Sequence, residues 1–356
     1  MTATIAGVAT ALPSNLFTQE RAKRLLERWY LKAPDSGAPI PLATARRAYD
    51  NAGVETRYSS IPIEELMEDP ALRKKNQTYM ETARRLSEEV VVRLFERSPL
   101  RIEDVDLIIT TSCTGFMIPA VDAYLINRFG FRSDIKRLPV TELGCAAGVA
   151  SLRMAHDHIR AFPDSTVLLL AVELTTLTFQ PTDFDGAHVI STAIFGDGAA
   201  GALVTGKPVS GLRIESTGSH FFRNTLDFMG FDLRETGFHI FLSPRIPAFI
   251  REELVPTVKS LLSSVPSLGA IRWLVHPGGA KILNAMEEAL GIPHGGLEES
   301  RGVLRRVGNL SSATIYFVLE KYWSNRASAP FGETAGILAV GPGFSMDFAV
   351  CRWKGI

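Results

Sequence analysis

Cys145, His276 and Asn309, in a chain of 356 residues, have the types and settings that acyl transfer requires. Cys145 follows the extended run Arg137-Leu138-Pro139-Val140 and opens a helix of small residues, Ala146-Ala147-Gly148-Val149-Ala150, running toward Arg160. Unpaired N–H groups and the positive end of a helix dipole favour a thiolate there, lowering the thiol pKa by roughly one to several units. Small residues in the first turn let neighbouring backbone pack closely and leave room for a substrate beside the sulfur. His276 closes the strand Trp273-Leu274-Val275 and precedes the turn Pro277-Gly278-Gly279. The carboxyl end of a strand is where α/β sheets place their ligands. Asn309, in Val307-Gly308-Asn309-Leu310-Ser311-Ser312, stands at a predicted helix start. Each has a plain alternative: an inert buried thiol, an imidazole satisfied under a loop, an N-cap. Together they offer a thiolate, a protonated imidazole to stabilise it, and two donors for an oxyanion, each donor worth about 3 kcal/mol in a transition state.

The trio alone does not fix the reaction, because papain-like proteases use the same residue types. That signature has an aromatic residue after the nucleophile, whereas Cys145 is followed by Ala146-Ala147-Gly148. The elements that must position the trio alternate. Strand-like runs at 106–111, 167–172, 199–204, 273–275 and 335–340 are separated by helical patterns such as Met80, Ala83, Leu86, Val90 and Leu94. This implies an α/β fold whose strands are covered on both faces. Two halves, 1–208 and 209–356, present the same parts in order. The first has a strand (106–112), a Gly-Cys helix start (Gly144-Cys145-Ala146-Ala147) and a Gly-containing strand (196–201); the second has a strand (271–276), a Gly-Asn helix start (308–312) and another such strand (332–336). A duplicated domain would set Cys145 and Asn309 at equivalent helix starts facing one another. The loosely composed segment Lys32 to Pro39 reads as a surface loop.

Composition removes other classes. With 38 Lys+Arg against 38 Asp+Glu, the chain has no net charge to recommend nucleic-acid binding. The apolar run Val167 to Val172 is far short of the roughly 20 residues that span a bilayer, and no basic residue precedes Arg21 to form the n-region of a secretory signal. We therefore expect a cytoplasmic protein without an integral membrane segment. Three widely spaced cysteines (Cys113, Cys145, Cys351) make no disulfide framework, and no Cys/His cluster points to a metal.

The motifs Gly144-Cys145-Ala146-Ala147-Gly148, Ile194-Phe195-Gly196-Asp197-Gly198-Ala199-Ala200, His276-Pro277-Gly278-Gly279-Ala280-Lys281-Ile282-Leu283, Gly308-Asn309-Leu310-Ser311-Ser312-Ala313 and Gly341-Pro342-Gly343 resemble those of the type III polyketide synthases. These form the chalcone/stilbene synthase family of the thiolase superfamily, and the motifs stand in family order from about residue 5 to the C-terminus. The resemblance implies a five-layered αβαβα thiolase-like fold of two duplicated halves, a homodimer, CoA thioesters as substrates, and no metal or organic cofactor. It implies that Cys145 takes the starter acyl group and holds the growing chain. His276 and Asn309 would promote decarboxylation of malonyl-CoA and stabilise the enolate that attacks the Cys145 thioester.

Other roles follow from the same resemblance. Phe195 matches one aromatic gatekeeper. Aligned without a gap from Leu233-Arg234-Glu235, the second falls on Ile240 and not Phe238, which would open the passage to bulkier acyl groups. Cys113, Thr178, Phe231 and Ser311 map to the cavity. Arg47, Gly278 and Lys281 map to CoA contacts, but Thr44 and Asn51 stand where the family has further basic residues, with Arg46 as a candidate substitute. An acyl carrier protein is thus an alternative starter donor. The expected activity is iterative decarboxylative condensation closing to a pyrone, resorcinol or related phenolic. Ile240 inclines toward a fatty-acyl starter, Cys113 toward malonyl priming of a polyhydroxynaphthalene or phloroglucinol. The alternatives are a single-condensation ketoacyl synthase and a non-catalytic thiolase-fold partner.

Overall fold

The computed structural model describes residues 2–33, 38–68, 70–261, 271–325 and 332–354. The central residues of the expected Lys32–Pro39 loop, 34–37, lie outside these. In chain order the elements are β1 (Thr4–Ala11), β2 (Asn15–Thr18), α1 (Gln19–Tyr30), α2 (Leu42–Asp50), β3 (Thr56–Ser59), α3 (Ile63–Leu66), α4 (Leu72–Glu96), β4 (Val105–Thr111), α5 (Val121–Phe129), β5 (Lys136–Val140), α6 (Ala147–Ala161), β6 (Thr166–Leu174), α7 (Gly186–Ile194), β7 (Asp197–Thr205), β8 (Gly211–Phe221), β9 (Met229–Arg234), β10 (Gly237–Leu242), α8 (Ile246–Leu261), β11 (Arg272–Val275), α9 (Ala280–Leu290), α10 (Glu298–Val307), α11 (Thr314–Ser324), β12 (Thr334–Gly341) and β13 (Ser345–Lys354).

Nine strands form one sheet in the order β11-β12-β13-β8-β1-β7-β6-β4-β5. Its two halves are joined where Thr4 and Ile5 of β1 pair with Arg213 and Leu212 of β8. The halves repeat one another. In the first, β1 and β6 both run antiparallel to β7, and β4 runs parallel to β6. In the second, β8 and β12 both run antiparallel to β13, and β11 runs parallel to β12. The strands are apolar without alternation because both faces are covered: every residue of β1, β6 and β7 is buried.

Three hydrophobic cores fill the spaces between layers. One packs α4 and α5 on the outer face of the first half. The middle core buries α6 and α11 between residues of both halves, among them Leu169, Val204, Leu274 and Ile337. The third sets α8 and α9 on the outer face of the second half. The result is the expected αβαβα stack. Duplication places α6 before β6 and α11 before β12, so their first turns lie at equivalent points of the two halves. Beyond the sheet, β2 pairs antiparallel with β3 across the intervening α1 and α2, and β9 pairs with β10 in a hairpin, neither with a counterpart in the expected strand pattern.

Candidate active site

Cys145 lies within a single 3₁₀ turn, Gly144–Ala146, that leads into α6. Close packing dictates the small residues around it. A Cβ on Gly148 would come within 2.3 Å of the Ser312 carbonyl oxygen and 2.6 Å of Ile315, so the first turn of α6 touches the start of α11 directly. Gly144, at φ +51°, would place a Cβ 2.7 Å from Pro342, and Gly341 would place one 2.7 Å from the Ala146 nitrogen. The Gly341-Pro342-Gly343 turn therefore braces the nucleophile loop, and the space expected beside the sulfur is partly taken by α11.

Asn309 precedes the 3₁₀ turn Ser311–Ala313 that starts α11. Its Oδ1 accepts from the Ser311 amide at 2.8 Å and from the Thr314 hydroxyl at 3.4 Å, which turns Nδ2 outward toward the Gly278 carbonyl at 3.5 Å. The capping role and a donor role thus use different ends of one side chain. Ser311 sits at φ +47°, a left-handed conformation that a serine holds at a cost of about 1 kcal/mol or more. Its hydroxyl lies 3.8 Å from the Cys145 sulfur and 3.5 Å from the Cys113 sulfur.

His276 follows β11, its amide bonded to the Leu338 carbonyl at 2.8 Å. It is 2 % exposed, and neither ring nitrogen has a hydrogen-bond partner among the described residues. An imidazole left in this way is unusual in a protein interior and is suited to receive a ligand. Cys113 follows β4, the strand equivalent to β11, so Cys113 and His276 occupy matching ends of duplicated strands.

Burial reverses the expected charge state. It pushes the Cys145 thiol up to about 11, against the lowering effects of Ser311 and Asn309, and pushes His276 down to about 3. Removal from water favours the neutral form of each group, in place of the expected thiolate and imidazolium. Attack by sulfur from this state requires that its proton be taken up as the bond forms. Alkylation of Cys145 by iodoacetamide should consequently keep rising with pH beyond 9 toward 11, which stopped-flow labelling with peptide mapping reads directly. A plateau below pH 8 would restore the ion pair.

Glu173, at the end of β6, was not legible as part of this site. It is wholly buried and accepts from Ser312 Oγ at 2.5 Å, Thr114 Oγ1 at 2.8 Å and the Cys113 amide at 3.1 Å. Burial raises its pKa despite these donors, and burial followed by the Glu173 charge pushes the Cys113 thiol well up. Cys113 is therefore favoured as the neutral thiol. The signal in the sequence was one carboxylate closing an otherwise apolar strand.

The remaining positions divide into two groups. Phe195 caps α7 and forms an isolated parallel bridge with Asn309. With Thr178 it lines an apolar pocket that also includes Trp29, Phe179, His188 and Arg57. In the hairpin, Ile240 pairs directly with Phe231. Phe238 shares the strand face of Ile240, and its ring meets that of Phe231 edge-on at 5.7 Å. An aromatic pair thus occupies the hairpin face that carries Ile240. Arg47 is held at the end of α2 by its bond to Thr44 Oγ1 at 3.0 Å, and Asn51 Nδ2 donates to the Arg47 carbonyl at 2.8 Å. Arg46 is engaged by Glu27 at 2.8 Å. The turn after α2 abuts the start of α9, where Gly278 and Lys281 stand: a Cβ on Gly53 would lie 3.2 Å from that of Ala280. Among the described residues no cluster of His, Cys, Asp or Glu is placed to hold a metal, and no helix is long and apolar enough to cross a membrane.

Residues 1–208 match the family model for the N-terminal domain of chalcone and stilbene synthases, and residues 213–353 match that for the C-terminal domain. The chain belongs to the chalcone and stilbene synthase family. It is 34% identical over 356 residues to 1,3,6,8-tetrahydroxynaphthalene synthase of Streptomyces griseus, covering 99% of this chain and 93% of that protein. It is 29% identical to phloroglucinol synthase of Pseudomonas fluorescens, covering 96% of each. The crystal structure of 1,3,6,8-tetrahydroxynaphthalene synthase from Streptomyces coelicolor, a bacterial type III polyketide synthase, superimposes with a TM-score of 0.93 at 32% identity, covering 99% of this chain and all of the other. The fold is accordingly thiolase-like, and the protein is a type III polyketide synthase, an acyltransferase that works by malonyl-CoA-dependent condensation.

Proposed function

We propose that Cys145 is the nucleophile, and that His276 and Asn309 are the donors that stabilise negative charge on the malonyl thioester oxygen as CO₂ leaves. As the Cys145 sulfur bonds to the acyl carbon, its proton passes to the neutral His276, which returns it to the departing CoA thiolate. Loss of CO₂ from malonyl-CoA leaves an enolate whose oxygen accepts from His276 and Asn309 Nδ2. Its carbon attacks the Cys145 thioester and frees the sulfur. No metal or organic cofactor enters this sequence, because decarboxylation itself supplies the carbanion. The carrying observation is the buried, unpartnered His276 ring in a site where the Asn309 cap turns its amide outward.

We assign malonyl priming, with closure to a polyhydroxylated aromatic product such as a naphthalene or phloroglucinol. The similarity to tetrahydroxynaphthalene and phloroglucinol synthases supports this, as does the Phe231–Phe238 pair that narrows the hairpin face. The apolar pocket behind Phe195 and Thr178 favours a second reading in which a fatty-acyl starter yields an alkylpyrone or alkylresorcinol. Isotope-labelled malonyl-CoA given alone should yield an aromatic product by mass spectrometry. Product only on addition of long acyl-CoA would establish the second reading, and loading of Cys145 only from an acylated carrier protein would identify the donor as that protein.

The reading includes a cytoplasmic homodimer. β5 is an edge strand with four of its five residues exposed, Leu138 among them, and Phe116 and Ile118 in the segment after β4 are exposed as well. An open edge with apolar neighbours fits a second copy of this chain.

A further inference from the structure

Arg57, in the four-residue strand β3, is 2 % exposed and belongs to the wall of the apolar pocket behind Phe195. Its Nη1 donates to the Thr192 carbonyl at 2.7 Å and to the Phe195 carbonyl at 2.8 Å, and its Nη2 donates to Gln19 Oε1 at 2.9 Å. Gln19 in turn donates Nε2 to the Ala193 carbonyl at 3.0 Å. The carbonyl between, that of Ile194, accepts from the Asn309 amide at 2.8 Å, and the Asn309 carbonyl accepts from the Gly196 amide at 3.1 Å. The terminal carbonyls of a helix normally go to water or a glycine cap. Here the four from Thr192 to Phe195 go to Arg57, Gln19, Asn309 and Arg57.

This arrangement ties two parts of the site to one cation. The Arg57 stem also fills the space beside Gly308, whose Cβ would lie 2.9 Å from Arg57 Cδ and 2.4 Å from the Ile194 carbonyl oxygen. The segment bearing Asn309 is thus pressed between α7 and the arginine stem. The guanidinium lies 4.8 Å from the Phe17 ring centre, and burial lowers its pKa only to about 10, so it stays charged at neutral pH. A cation is favourable at a helix C-terminus.

We propose that Arg57 is a positioning residue that sets Phe195 and Asn309 as one rigid unit, fixing both the amide donor used in decarboxylation and the aromatic wall of the cavity. The catalytic part of this statement rests on the role proposed for Asn309; the mechanical part does not. Lysine keeps the charge but has a single nitrogen, which cannot span the Thr192 and Phe195 carbonyls and Gln19 together.

Three readouts on purified full-length Arg57→Lys test it. Hydrogen exchange of the Gly196 and Asn309 amides should accelerate at least fivefold while β6 amides stay unchanged. The kcat for decarboxylation of malonyl-CoA should fall about ten- to a hundredfold with KM changed less than threefold, while Cys145 acylation stays within about threefold of the parent. The distribution of product chain lengths should broaden. Gln19→Met, a gentler cut in the same network, should move all three in the same direction by less and serves if Arg57→Lys does not fold. Unchanged exchange at Gly196 and Asn309 in a folded variant overturns the proposal, as does acylation falling in step with decarboxylation. Asn309→Ala is run alongside: accelerated exchange in Arg57→Lys with undiminished decarboxylation in Asn309→Ala would refute the role given to Asn309 and leave the mechanical unit standing.

Discussion

Cys145→Ala should form no detectable polyketide, a loss on the order of a thousandfold or more, and should show no acyl adduct by intact-protein mass spectrometry. The reason is specific to the geometry. Cys113 lies close to the same Ser311 hydroxyl, 3.5 Å away, but its sulfur also stands 3.6 Å from the buried Glu173 carboxylate, whose charge opposes a thiolate there more strongly than at Cys145, so it does not substitute. Slow decarboxylation of malonyl-CoA should survive the mutation, because that step uses the His276 and Asn309 donors and no nucleophile. A variant that still condensed malonyl units, or one acylated on Cys113, would refute the assignment of Cys145 and the inert reading of Cys113 together.

Asn309 allows a sharper test, because its two functions are carried by different atoms. Asn309→Asp retains the oxygen that accepts from the Ser311 amide and the Thr314 hydroxyl, and so retains the cap. It replaces the outward Nδ2 donor with a carboxylate oxygen facing a developing enolate. We expect the melting temperature to stay within a few degrees of the parent, while decarboxylation falls about 10²- to 10³-fold, the usual effect of losing one oxyanion donor. Asn309→Ala should lose similar activity and also stability, by about 1 kcal/mol for the missing cap. If Asn309→Asp were nearly as active as the parent, the residue would be a cap and nothing more.

The layered fold and the trio were legible because each rests on local signals: apolar runs too long to alternate, a Gly-Cys helix start, a histidine closing a strand. Recognising the repeat related the two halves, while the order of the strands within the sheet was not read from the sequence. What the sequence concealed depends on burial or on a partner remote in the chain. Glu173 is one carboxylate whose donors come from Cys113, Thr114 and Ser312, and no spacing links them. Arg57 looks like any surface arginine in a short strand until α7 is seen to end against it. The charge state of Cys145 was read from the helix terminus, which favours a thiolate, whereas removal of the sulfur from water pushes its pKa up. The hairpin β9–β10 was the least readable part, since an ungapped alignment names Ile240, while only pairing shows Phe231, Phe238 and Ile240 sharing one face.

The solitary imidazole of His276 also makes the protein sensitive to acid. An unfolded chain binds a proton at this histidine near pH 6.5, whereas the folded chain does so only near 3. Between those values the unfolded state carries the extra proton, so falling pH draws the equilibrium toward it, by up to about 1.4 kcal/mol per pH unit for this one group. Above about 6.5 neither state is protonated and the penalty vanishes. A base kept dry and unpaired for chemistry at neutral pH is therefore a weak point of the fold in mild acid, and a thioester substrate that hydrogen-bonds to the neutral ring would leave that weakness in place.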